Sequence, residues 1–268
     1  MRASPTAPHS RHRRATLAGS THVPRRQGAP WHRSPADHPA LSDAERVAIT
    51  AARDEDVDAK PTTRRDLLKS RAFWGIAVPR FLAEPAWQTF NFFIPLYLVS
   101  VWQLGLKSIA LWAWMPFLAA DFGSLAAGVL PRWLMKRGVP LVASRKITMT
   151  VGALCMIGPA CIGLATSPAI AILLFCVGGF AHQMLSGALI TLCADMFDSR
   201  TVGTASGMAG TSAWVGGMLF TLLIGQSADA FGYDPLFAAL AVLDILAAAV
   251  LWSLLRSRPR TPVTLREG

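Results

Sequence analysis

The sequence predicts an all-α integral membrane protein whose core is a bundle of six spanning helices. Three observations predict it. The chain is 52% hydrophobic and only 16% charged, with a mean hydropathy of +0.38, whereas soluble domains carry roughly 25% charged residues. Six apolar segments, approximately 72–102, 108–130, 144–166, 169–192, 203–227 and 235–256, each exceed the ~18 residues needed to span a bilayer. The basic residues gather in alternate connections between them. Separate segments crossing lipid must satisfy their own backbone groups, and helices do so.

In chain order, residues 1–40 are rich in Pro, Arg, His, Ala and Ser and lack aliphatic clusters, a composition that cannot build a core. They read as a disordered basic tail, and without an apolar h-region they are no secretory signal. Residues 41–71 are charged and helix-compatible, a cytoplasmic linker into the first span. The bundle occupies 72–256, and 257–268 form a cytoplasmic tail. The net charge of +10 divides into +6 for residues 1–71 and +4 for the rest. Such a tail could touch nucleic acid or anionic lipid; it is read as a solvated segment beside the membrane, with no nucleic-acid partner.

The first span carries the most information. Between Phe73 and Val101, Arg80, Glu84, Gln88 and Asn91 stand at i, i+4, i+8 and i+11, with Trp87 beside them. At helical spacing they share one face and can line an interior cavity. An ionised side chain at membrane depth costs about 3 kcal/mol, so it points to function. Mutual neutralisation of Arg80 and Glu84, one turn apart, is the plainer alternative, but it leaves Gln88 and Asn91 unexplained. Prolines 79, 85, 95, 116 and 159 predict kinks, since neighbouring helices can re-satisfy freed carbonyls.

The loops set the sidedness. Arg64, Arg65, Lys69 and Arg71 precede the first span, and Arg132, Lys136, Arg137, Arg145 and Lys146 cluster between the second and third. Arg200 follows the fourth; Arg256, Arg258 and Arg260 follow the sixth. The opposite loops hold Lys107. This pattern places both termini in the cytoplasm.

Further polar groups lie in the later spans. His182 and Ser186 are four apart in the fourth, with Gln183 adjacent; His182 reads equally as a hydrogen-bonded packing residue or as a contact for substrate or proton. Asp195 ends that span, where capping or pairing with Arg200 is expected. The fifth begins with Gly203 and Gly207 in a GxxxG pair, extended by Ser206, Gly210 and Ser212, a surface that permits close helix approach. Thr211, Ser212 and Trp214 add groups suited to a sugar ring. Asp121 and Asp244 are expected to be buried carboxylates. Loss of water favours the protonated acid, as a proton carrier needs, and a neighbouring cation opposes it. Cys155, Cys161, Cys176 and Cys193 form no CxxC pair, so they read as packing residues rather than a metal or disulfide framework. No glycine-rich phosphate loop, HExxH or GxSxG is present. His182 and Asp195 are about 20 Å apart along one helix, too far for joint catalysis. The sequence therefore offers no enzyme and no cofactor.

Several long segments are more specific: FWGIAVPRFLAEPAWQTFNFFIPLYL, SIALWAWMPFLAADFGSLAAG, VASRK, GGFAHQMLSGALITL and TASGMAGTSAW. Together they resemble hexuronate transporters of the anion:cation symporter branch of the major facilitator superfamily, from about Leu41 to near the C-terminus. The resemblance implies the C-terminal half of a twelve-helix symporter for glucuronate or galacturonate in a bacterial inner membrane. It implies coupling to protons, with sodium less favoured. Two six-helix bundles would enclose a site near the midplane and rock around it. Arg80 would grip the substrate carboxylate. Gln88, Asn91, His182, Ser212 and Trp214 would meet hydroxyls and ring, and Glu84 and Asp121 would serve as proton-coupling or structural carboxylates. Arg132 stands where relatives commonly carry the aspartate of the inward gate, so charge pairing there must differ. The first six helices are not in the sequence, and a second half or a second copy of the chain is the implied partner. The competing expectation is a non-transporting membrane fragment or an assembly partner without activity of its own.

Overall fold

The computed structural model describes Pro39, residues 41–58 and residues 63–255. The expected tails at 1–40 and 257–268 lie almost wholly outside the described residues. Helix α1 (Asp43–Asp58) begins with Ser42 and Glu45 capping one another reciprocally, so the Ser42 backbone N–H holds the Glu45 carboxyl below its ordinary range. A compact unit ends at Glu55, within this helix, and α1 is described by itself.

The second unit holds the bundle. Helix α2 (Arg64–Lys69) opens on a capping box between Thr63 and Asp66, which satisfies two otherwise orphaned N–H groups. It buries Leu67, and the Trp74 indole N–H donates to Leu68 O at 2.7 Å. Helix α3 (Arg71–Ser100) starts at once, capped by the Ser70 hydroxyl, and runs for 30 residues through Pro79, Pro85 and Pro95 without interruption. The second span is broken into α4 (Leu106–Trp112) and α5 (Met115–Lys136). Pro116 explains the break, since its ring clashes with the carbonyl one turn back, at Trp112. The third comprises α6 (Leu141–Cys155), α7 (Ile157–Ala160) and a 3-10 turn at Ile162–Leu164, with Pro159 acting likewise on Cys155. Helices α8 (Pro168–Met196), α9 (Val202–Phe231) and α10 (Asp234–Leu254) complete the bundle.

Among the described residues, five stretches are long and apolar enough to cross a membrane: Leu106–Lys136, Leu141–Leu164, Pro168–Met196, Val202–Ser227 and Pro235–Leu254. Helix α3 is long enough, but its polar stripe and three prolines keep it out of that set. The six-helix expectation is met with α3 as the polar member.

Four helices form a row in the order α5, α8, α3, α9, with α6 and α10 behind it and touching each other. Close contacts fix their directions. Gly216 of α9 lies on Phe81 of α3, and Gly217 lies between Glu84 and Gln88, so these helices run parallel. Gly179 meets the Pro116 carbonyl, and Gly123 meets that of Phe180, which sets α8 parallel to α5. Gly178 against Phe90 and Gly75 against Leu254 and Leu255 set α8 and α10 antiparallel to α3, as alternating spans require.

The Gly216 contact has a chemical cause. Pro85 removes the N–H that would bond Phe81 O, and that carbonyl presses on Gly216, where a Cβ would stand only 2.1 Å away. A Cα–H group there gives the freed oxygen a weak partner. The GxxxG pair is not the contact. Gly203, Gly207 and Gly210 have open space where a Cβ would stand, so close approach occurs a few turns later, at Gly216 and Gly217.

One end of the bundle is locked by cations. Arg145 Nε bonds Asp195 Oδ2 at 2.9 Å, with both side chains mostly enclosed, and a second arm reaches Ala127 O. Asp195 thus pairs with Arg145 of α6, a partner that the expectation of capping or of pairing with Arg200 did not include. Arg71 donates to Ser253 O and Lys146 to Leu255 O, so two cations satisfy carbonyls at the α10 C-terminus, where the helix dipole favours them.

Two predictions follow from this packing. Gly216→Ala and Gly123→Ala should each destabilise the detergent-solubilised chain by about 1–3 kcal/mol, while Gly207→Ala should leave it unchanged or slightly stabilised. Fluorescence-detected gel filtration after graded heating reads the difference. A double-mutant cycle of Arg145→Met with Asp195→Asn should show a coupling of about 1–3 kcal/mol in the same assay.

Candidate functional site

On α3, residues 80, 84, 87 and 91 follow one another along one strip, and all four are half-buried. The row of four helices is covered on its other side by α6 and α10, so this strip lies on the side the chain leaves open. Gln88 departs from the expected face. It is buried against Gly217 of α9 and donates to Glu84 Oε1 at a long 3.5 Å. Its place on the strip is taken by Trp87. Asn91 Nδ2 donates to Trp87 O at 2.8 Å, which holds the amide back along its own helix.

The Arg80 charge acts on Glu84, on His182 and on Cys193, so it sits where α3 and α8 converge. Among the described residues the Arg80 guanidinium has no carboxylate within 4 Å and no hydrogen-bond partner. Neutralisation by Glu84 in a formed ion pair is therefore not what the structure shows.

His182 departs from the expectation of a hydroxyl contact. It is 2% exposed, and its ring stacks on Trp87 with centroids 5.8 Å apart and planes 14° from parallel. Its Nδ1 has no hydrogen-bond partner among the described residues. Phe117 of α5 meets Trp87 at 5.9 Å and 85°. Three helices thus join through one aromatic group beside the arginine. Asp121, one turn from Phe117, is exposed and not buried; it continues the same open side. Ser186 and Gln183 of α8 are half-buried.

Ser212 and Trp214 do not come together. Two residues turn a helix by about 200°, and the two side chains point to opposite sides of α9. The Ser212 hydroxyl donates to Ala77 O at 3.0 Å and borders a groove of ≈ 340 Å³ with Ala77 and Phe81. Trp214 is 66% exposed. The expected Asp244 burial holds: the residue is fully enclosed on α10, and neither carboxylate oxygen has a partner among the described residues. It lies on a back helix, away from the strip. Sequence reasoning set Trp87 beside the polar face without giving it a role, and it missed Phe117 as a member of the site. Trp87 stands seven residues from Arg80, a helical repeat, and that spacing was the available signal.

The described residues hold no cluster of His, Cys, Asp or Glu able to bind a metal. What the strip offers is a cation without a bound anion, an aromatic ring, a carboxylate and amide groups. These are parts for binding a polar anion with an apolar face, and no nucleophile with an aligned base accompanies them.

Comparison with known sequences agrees with that chemistry. Residues 141–268 match the Major Facilitator Superfamily. The chain is 49% identical over 240 residues to the hexuronate transporter of Escherichia coli K12, covering 87% of this chain and 55% of that protein. It is 47% identical over 146 residues to the galacturonate transporter of Dickeya chrysanthemi, covering 53% of this chain and 42% of that one. At 23% identity over 229 residues it is similar to the human sodium-dependent phosphate transport protein 4, covering 79% of this chain and 52% of the relative. The chain spans about half the length of these relatives. These matches are to transporters and not enzymes, and over residues 141–268 the chain is similar to members of the Major Facilitator Superfamily.

Proposed function

We propose that this chain is the C-terminal bundle of a proton-coupled carrier for hexuronates, glucuronate or galacturonate, in a bacterial inner membrane. The observation that carries the reading is Arg80: a cation on the polar strip of α3, on the open side of the row, without a carboxylate in contact among the described residues. A planar guanidinium grips a carboxylate through two parallel hydrogen bonds. The names of the two bacterial relatives supply the class of acid. The basic ends of the spans support a cytoplasmic placement of both termini.

Glu84 supports coupling. It lies one turn from Arg80 and feels its charge. A substrate carboxylate on Arg80 would bring a second negative charge beside Glu84, and two carboxylates sharing one cation take up a proton more readily than one alone. Binding of acid and proton would then favour each other, as reciprocal linkage requires. Asp121, on the same side, is a second carboxylate for this role. A bundle that must enclose substrate needs its open side covered, either by a second bundle or by another copy of the chain.

That open side also favours a second reading, in which the chain alone is an assembly partner without transport activity. Uptake of labelled glucuronate by cells lacking their own carrier separates the two. Uptake abolished by a proton uncoupler is expected from the chain in a working assembly. No uptake, with the chain confirmed in the membrane, identifies the partner-only state. In a transporting assembly, Arg80→Ala should weaken glucuronate binding about 30-fold or more and leave a neutral hexose unaffected; equal loss for both removes Arg80 from the site. Glu84→Gln should retain substrate binding while uptake loses its sensitivity to the uncoupler, and unchanged sensitivity would pass the coupling role to Asp121.

A further inference from the structure

The aromatic group beside Arg80 has a role that anion binding alone does not require. A carboxylate grip and amide groups would hold any small sugar acid, open-chain or cyclic. A pyranose differs in presenting a flat patch of C–H bonds, which an indole matches in size and apolarity. The geometry points to the Trp87 indole as the platform for the uronate ring, with His182 as the positioning residue that holds the indole flat. This rests on the function proposed above.

His182 covers one side of the indole in a nearly parallel stack, and Phe117 braces it at a right angle. Trp87 is half-buried, so rigid support leaves part of the residue uncovered. Asn91 bonds to the Trp87 carbonyl and secures the backbone there. Trp87 lies seven residues from Arg80, about 10 Å along the axis, and on the same strip. The Arg80 charge reaches His182, the partner on which the indole rests. A molecule with a carboxylate at one end and an apolar ring face at the other therefore meets both groups together. His182 itself is buried, so it acts through Trp87 and does not touch the sugar.

The test compares two acids of like charge and length, glucuronate as the ring and gluconate as the open chain, by equilibrium dialysis against the purified full chain in lipid nanodiscs. Trp87→Leu should weaken glucuronate about ten-fold and gluconate less than two-fold. Trp87→Tyr should restore most of the loss, and His182→Phe, which preserves the stack, should bind glucuronate as the wild type does. Equal weakening of both acids by Trp87→Leu would overturn the platform, because a structural role would not distinguish them. A second readout needs no disruptive variant. In 5-fluorotryptophan-labelled protein, with the Trp87 resonance assigned by its absence from Trp87→Phe, glucuronate should shift that resonance and gluconate should not. A bound glucuronate that leaves it unmoved overturns the platform alone. A wild-type assembly with its open side covered that binds neither acid overturns the uronate function and the platform with it.

Discussion

Charged and amide groups midway along α3 cannot face acyl chains without a cost of several kcal/mol, and the bundle is arranged around that constraint. Three helices pack on α3: α9 through Gly216 and Gly217, α8 through Phe90 and Gly178, and α10 through Gly75. Its exposed apolar side carries Trp74, Phe92, Leu96 and Val99, and the polar strip of Arg80, Glu84, Trp87 and Asn91 is half-buried on a different side. Separating an apolar face from a polar one around the packed sides is therefore one requirement. Prolines inside α3 belong to it as well, because the carbonyl that Pro85 releases is the one that Gly216 approaches.

The spans were legible because length and apolarity are local properties. So were the breaks at Pro116 and Pro159, although the same residue type leaves α3 continuous at three positions. Proline marks where a helix is able to bend; its neighbours decide whether it does. The polar face of α3 was legible from period alone, but a face some 100° wide does not say which of its edges touches a neighbour. Gln88 and Trp87 exchanged places for that reason, Gln88 turning into the α9 contact. Ser212 and Trp214 are two residues apart and opposed on the helix, as the helical period alone dictates. The Arg145–Asp195 pair joins residues 50 apart and follows from packing that no local pattern encodes. Asp121 looked buried because it lies in an apolar run, yet an apolar run reports the average environment of a span and not the side on which one residue falls.

Two sets of glycines stand at opposite extremes of what faces them, and the contrast bears on how such a bundle works. Gly123, Gly152, Gly179 and Gly216 each admit a neighbouring backbone oxygen where a side chain would otherwise be. They lock α5 to α8, α6 to α8 and α9 to α3. Gly128, Gly203, Gly207 and Gly210 have nothing near them, and Trp214 stands exposed on the same helix as the last three. The carrier proposed for this chain, if it alternates its access by rocking, needs rigid bundles and a smooth surface between them. Backbone-to-backbone contacts supply the first, because a carbonyl against a Cα has no rotamer to relax into. The second set leaves low relief on the outer side of α9. Internal rigidity and external smoothness thus come from the same residue type, distinguished only by what the fold brings opposite it.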